Sequence, residues 1–375
     1  MREATILLIT IVILSVIGGI MYNVMSPYLR EAGIIGGEEG AQIATDGGIF
    51  VSRDEGFSWA KIGTLPEMEA FLKSDVFSVL FDPGDENRAY IGTSTGLYVY
   101  SQVSGNISSI PAGLGMVQSV AVDQSNKNRM YLAVKSGSGG KILKATRPYY
   151  FYEVYSTLGA NSGKQDNVLG VWINRSSPNV VYAGTETGLF LESENFGESW
   201  FIKAEFKDKI RMLEMASNDA KTMYAIVGNA GVFKTKNGGA TWLDISNSLS
   251  SYGAGFNFLI ENIAIDPRDN NRLYAATSRG LLKSINGGSS FSRMELLSPE
   301  ESPHILYVAL DPLRDNVVYF AIGLQIHKTE DGGKNWKIKT LSGQRGVSAI
   351  KINPVNSKTI IVGLRTVFVQ AAVRK

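Results

Sequence analysis

A chain of 375 residues exceeds one average domain, although repeat architectures of this length form single units. With 44% hydrophobic and 19% charged residues and a net charge of +2, the composition suits a packed protein, excludes extended disorder and implies no nucleic-acid partner. Cysteine is absent and only His304 and His327 supply imidazole, which excludes disulfides, thiolate chemistry and histidine-rich metal sites; no cofactor is implied.

From the amino end, Ala4–Met25 is uncharged and almost entirely apolar. At about 1.5 Å rise per residue this length covers a hydrocarbon core of about 30 Å, so residues 4–25 are expected to form one transmembrane helix in the lipid bilayer. A cleaved signal peptide, giving a secreted protein, is the alternative, but no convincing small-x-small cleavage site follows. With the amino end inside, the rest of a single-pass chain stands on the extracytoplasmic side. Residues 26–40, rich in glycine, read as a tether, and residues 41–375 as the folded domain.

Internal repetition decides the fold of that domain. An eight-residue signature occurs at Ser52–Trp59, Ser193–Trp200, Thr235–Trp242, Ser284–Phe291 and Thr329–Trp336. Each copy places an acid or amide third (Asp54, Asn195, Asn237, Asn286, Asp331), a glycine fifth (Gly56, Gly197, Gly239, Gly288, Gly333) and an aromatic last (Trp59, Trp200, Trp242, Phe291, Trp336). The Asp or Asn side chain can accept N–H groups just ahead of it, glycine takes a positive φ, and the aromatic plugs the space between sheets. The role expected of each copy is therefore structural. Trp59 and Trp200 lie 141 residues apart, three repeats of 47, so two degenerate copies are expected at Ser101–Ser108 and Lys144–Phe151.

Two further signatures keep the same beat. Apolar runs end in Asp-Pro or a relic of it at Asp82, Asp123, Asn174, Ser217, Asp266, Asp311 and Asn353. A strand centred on Tyr90, Tyr131, Tyr182, Tyr224, Tyr274, Tyr319 or Ile361 follows each, and a short apolar pair such as Leu97-Tyr98 or Ile326-His327 comes next. Four strands per unit of roughly 45 residues predict an all-β propeller. Residues 41–50 resemble second and third strands, and residues 347–370 resemble first, second and third strands. Seven blades closed by pairing the two chain ends are expected, with one redundant terminal pair; eight blades are the alternative.

The signature resembles the Asp box of sialidase-type propellers. A sialidase would imply an early Arg-Ile-Pro motif and an arginine triad, and no Arg-Ile-Pro occurs. Resemblance to xyloglucan-cleaving Asp-box hydrolases would imply two facing propellers with one carboxylate from each, whereas this chain can make only one ring; within it Asp75 and Asp166 precede first strands and are the candidate acids. The whole-chain pattern, through the five boxes and units such as Val181–Phe190, is most similar to the photosystem II stability and assembly factor type. That resemblance implies a seven-bladed, non-enzymatic propeller with an amino-terminal anchor and an arginine patch for its partner; Arg211 and Arg345 are the candidates. The loops before the seven first strands carry Asp75, Gln118, Asp166, Arg211, Glu261, His304 and Arg345, a mixed polar ring suited to binding. The reading is a membrane-tethered scaffold for a membrane or extracytoplasmic protein, with polysaccharide binding or a divergent glycoside hydrolase as the alternative.

Overall fold

First strands mix buried and half-buried positions, second strands are almost continuously buried, and the recurring turns fold the strands back on one another. The computed structural model describes residues 47–366, apart from 64–67, 111–113, 138, 147–148, 158–165, 230, 253–257 and 297–302. The expected membrane helix and tether lie outside the described residues. Among the described residues no helix is long and apolar enough to cross a membrane.

The first two strands, β1 (Ile49–Ser52) and β2 (Ala60–Ile62), are followed by a short helix, α1 (Glu69–Leu72). Blade 1 then comprises β3 (Val76–Asp82), β4 (Asp85–Thr93), β5 (Gly96–Ser101) and β6 (Ile107–Ser109). Blade 2 is β7 (Met116–Val122), β8 (Met130–Ser136), β9 (Gly139–Ala145) and β10 (Phe151–Ser156). Blade 3 is β11 (Val168–Ile173), β12 (Val181–Thr185), β13 (Leu189–Ser193) and β14 (Phe201–Glu205). Blade 4 is β15 (Ile210–Met215), β16 (Met223–Val227), β17 (Gly231–Thr235) and β18 (Leu243–Asp244). Blade 5 is β19 (Ile260–Asp266), β20 (Asp269–Thr277), β21 (Gly280–Ser284) and β22 (Ser292–Arg293). Blade 6 is β23 (Tyr307–Leu310), β24 (Val318–Ile322), β25 (Gln325–Thr329) and β26 (Lys337–Thr340).

Blade 7 closes the ring. Its inner strands are β27 (Gly346–Ile352) and β28 (Ile360–Arg365), and its outer strands are β1 and β2. The join is the antiparallel pairing of Ile49 with Gly363 through Ser52 with Ile360. Seven four-stranded antiparallel sheets result, so the chain is a seven-bladed propeller rather than an eight-bladed one. β1 occupies the third-strand place that the residues after Arg365 would otherwise fill, and the expected redundant pair lies largely outside the described residues.

The signature turns join third to fourth strands. The Ser52 hydroxyl donates to Asp54 Oδ1 at 2.8 Å and accepts the Gly56 N–H at 2.7 Å, while Asp54 Oδ1 accepts the Ser58 N–H at 2.8 Å. The same three bonds recur in the turns of Asn195, Asn237, Asn286 and Asp331. The second signature is a turn of its own kind. Asp82, Asp123, Asn174, Asp266, Asp311 and Asn353 each accept an N–H two residues on, bending the chain from first to second strand.

Seven apolar clusters fill the seven gaps between blades, each closed by one plug. Trp200, Trp242, Phe291, Trp336 and Trp59 pack toward the preceding blade, and Phe151 does the same between blades 1 and 2. The plug of blade 1 differs from the expected Ser108. Ser108 is exposed and Ile107 is buried in its place. With Tyr100 facing Ile107, this hairpin is two residues tighter than the turn that faces Glu192 with Phe201, so the spacing of the signature does not carry over to it. The repeat tyrosines are core residues, all buried at 3% exposure or less.

Candidate functional site

Up-and-down order puts the turns after first and third strands on one face, called lower here, and the loops before first strands on the upper face. First strands line the central channel. Six of them carry a register shift near their upper end, between Val76 and Ser78, Val117 and Ser119, Val168 and Gly170, Ile210 and Met212, Ile260 and Asn262, and Val347 and Ala349. A bulge of this kind re-aims the extra residue. Gln118, Arg211 and Glu261 are three of the six extra residues, the others being Phe77, Leu169 and Ser348.

Three of the sequence candidates are brought together at the upper mouth. Arg211 Nη2 lies 3.2 Å from Glu261 Oε2, and His304 Nε2 lies 2.8 Å from Glu261 Oε1. The arginine is held in place by the carbonyls of Ile260 at 3.0 Å and Gly228 at 3.3 Å. Burial works against ionisation of Glu261, but the His304 hydrogen bond and the Arg211 charge outweigh it and hold the carboxyl below its usual range. A carboxylate fixed between a guanidinium and an imidazole, across blades 4, 5 and 6, offers a preorganised polar surface.

The other candidates fall elsewhere. Arg345 is buried, and its guanidinium donates to Ser74 O at 2.8 Å, Lys73 O at 2.8 Å and Asp75 Oδ1 at 2.7 Å. Asp75 Oδ1 also accepts the Thr366 N–H at 2.7 Å. This pair ties the loop before β27 to the loop before β3. Asp166 is buried too, and its carboxylate accepts from Thr187 Oγ1 at 2.7 Å and from the N–H groups of Thr187 and Asn167. Gln118 donates to Met116 Sδ at 3.0 Å. Asp75 and Asp166 are thus held by loop contacts in separate blades.

A second feature was not anticipated from sequence. The channel holds a cavity of about 540 Å³, open to solvent, that runs from the level of the bulges down to the lower turns. Its walls include Trp172, Met212, Glu214, Met215, Tyr307 and Lys351, with Arg175 beside them. Burial pushes the Glu214 carboxyl above the usual carboxylate range, opposed by Lys351 and Arg175. Tyr307 and then Glu214 hold the Lys351 ammonium above its own usual range, against burial. The signal was present: within first strands otherwise apolar at this level (Leu80, Ala121, Trp172, Ala264, Ala309), Glu214 and Lys351 are the charged exceptions. Among the described residues no cluster of three or more His, Asp and Glu side chains could hold a metal ion.

No family model matches the chain, and no curated protein matches it. Among solved structures it is similar to the GH74 xyloglucanase from Xanthomonas campestris, at 14% identity and a TM-score of 0.62, over 77% of this chain and 51% of that one. It is also similar to YCF48 bound to D1 peptide, at 15% identity and a TM-score of 0.57, over 78% of this chain and 94% of that one. YCF48 from Cyanidioschyzon merolae gives 16% identity and a TM-score of 0.57, over 77% of this chain and 95% of that one. The chain spans about half the length of the xyloglucanase it matches. At these identities the likeness establishes a shared propeller fold, which YCF48 and the GH74 enzyme both have.

Proposed function

We propose that this protein is a non-enzymatic, membrane-tethered propeller that binds a membrane or extracytoplasmic polypeptide through the upper mouth of its channel. The observation that carries the reading is the Arg211–Glu261–His304 cluster, whose polar groups are already oriented by two strands and one loop of a closed ring. Groups fixed in advance lose little freedom on association, so they favour binding. The similarity to YCF48 over nearly all of its length supports this reading, and its solved complex is with a peptide. Tethering rests on the uncharged apolar stretch Ala4–Met25.

The test is site-specific crosslinking from a photoreactive residue at Gln118, on blade 2 across the channel mouth from the cluster, in membranes carrying the full chain. A discrete polypeptide adduct is expected, and it should be lost in Arg211→Ala and in Glu261→Gln. Adducts that persist in both variants sink the assignment of the site. Turnover of sialosides or β-glucans, abolished by Asp75→Asn or Asp166→Asn, would instead support the carbohydrate-directed reading. Release of the full-length protein by alkaline carbonate would refute the tether.

A further inference from the structure

The channel cavity lies below the upper cluster, and the reading above makes no use of it. At about 540 Å³ it falls within the range of about 300–1,000 Å³ common for small-molecule sites. Of the charged residues that line it, Asp123 and Arg175 lie at the lower turns, while Glu214 from β15 and Lys351 from β27 project from first strands on different sides of the ring. These last two influence each other's ionisation across the space but form no ion pair. Half-buried charges left apart in this way gain from a ligand placed between them that satisfies both. Tyr307 adds a hydroxyl beside Lys351. The wall next to Glu214 is apolar, formed by Trp172, Met212 and Met215. The indole reaches into the channel because Gly170 has no side chain; a Cβ there would collide with the Trp172 ring.

We propose that this cavity binds a free amino acid with an apolar side chain, whose carboxylate meets Lys351 and Tyr307, whose ammonium meets Glu214, and whose side chain packs on Trp172 and the two methionines. A zwitterion answers both of these first-strand charges and brings no net charge of its own. A simple carboxylate would leave Glu214 unanswered, and an amine would leave Lys351 unanswered. The aromatic and thioether wall rewards an apolar side chain by burial.

Isothermal titration of the full-length protein decides it, using L-phenylalanine, L-leucine and L-methionine as probes. Saturable binding of at least one is expected. For that amino acid, the N-acetyl derivative, which lacks the ammonium, and the amide, which lacks the carboxylate, should each bind at least about tenfold more weakly, the loss of one charge-assisted contact. Glu214→Gln and Lys351→Met should show the same loss. The idea is overturned by no saturation with any of the three at about 10 mM, a Kd beyond useful affinity. Capped and free forms that bind alike overturn it as well. If a variant fails to fold, the comparison of capped with free ligands on the unaltered protein still decides. Polypeptide capture through Arg211 and Glu261 is read separately, so either conclusion can fail without the other.

Discussion

The Tyr319 hydroxyl in blade 6 donates to the backbone carbonyl of Glu55 in blade 7 at 3.0 Å, across 264 positions of sequence. The relation repeats around the ring. Tyr131 of blade 2 reaches the Phe196 carbonyl in blade 3 at 2.7 Å, and Tyr224 of blade 4 reaches the Gly287 carbonyl in blade 5 at 3.0 Å. In each case the acceptor is the fourth residue of a signature turn. That residue has a positive φ: 62° at Glu55, 60° at Phe196 and 65° at Gly287. The left-handed conformation turns the carbonyl toward the neighbouring blade. Where the residue is not glycine, a side-chain contact with that same blade accompanies the strain. Glu55 pairs with Arg314 at 2.5 Å and Lys328 at 3.3 Å, and the Arg129 guanidinium lies 3.9 Å from the Phe196 ring centre.

Tyr319→Phe should therefore cost about 1–3 kcal/mol, because it leaves the Glu55 carbonyl short of a donor in a tight gap. Tyr274, whose hydroxyl makes no such bond, is the control, and Tyr274→Phe should stay within about 0.5 kcal/mol of wild type. Urea denaturation measures both. Equal effects would show that the hydroxyl contact between blades 6 and 7 contributes nothing.

Adjacent glycines of one turn should respond differently to alanine. At Gly239, with φ of 87°, a Cβ would stand 2.6 Å from the Phe190 ring, and that ring is already stacked on Tyr182 and edge-on to Trp242. Gly238→Ala would meet only the Tyr182 hydroxyl, at 3.5 Å. Backbone strain of about 1–2 kcal/mol applies to both, with an overpacking cost of about 1–3 kcal/mol added at Gly239. A Gly239→Ala variant that melts no lower than Gly238→Ala contradicts this.

His327 predicts a share of the acid sensitivity. The ring is 1% exposed, stacks 4.4 Å from Phe320 and has no hydrogen-bond partner on either nitrogen; burial lowers its pKa to about 4. Because the folded value lies below the unfolded one, the neutral ring is fully tolerated above about pH 6.5. Stability is then lost as pH falls from there toward 4, by up to about 3 kcal/mol. His327→Leu should lack this component. The measurement is the wild-type minus variant difference in unfolding free energy at pH 7 and pH 4.5. A difference that does not change with pH rules the account out.

Closure of the ring should depend on Arg345. Removing its buried guanidinium takes a donor from two carbonyls and the cation from the Asp75 carboxylate's ion pair, a loss of about 3–5 kcal/mol in Arg345→Met. Arg345→Lys should rescue little, since a single ammonium cannot reproduce the fork. Thermal melting of the two variants tests this, and a lysine variant that melts with wild type would refute the fork geometry.

Much of the architecture was legible in sequence for a physical reason: a propeller repeats one local solution. The Asp or Asn turns at Asp54, Asn195, Asn237, Asn286 and Asp331 and the bends at residues such as Asp82 and Asp311 are built from contacts two to four residues apart. Spacing alone therefore located the strands and gave seven units. The plug at Ile107 was missed because hairpin length there depends on register, which spacing does not report.

The candidate site was less legible, since side chains before first strands look alike until the blades are placed round the axis. Sequence named Arg211, Glu261 and His304 alongside Arg345 and Asp166, with nothing to separate them. Tertiary structure joined the first three across blades 4 to 6 and buried the other two in loop contacts. It also set Glu214 and Lys351, 137 positions apart, into one cavity. Local turn chemistry determined the fold; the closure of the ring, a relation among distant strands, decided which polar groups meet.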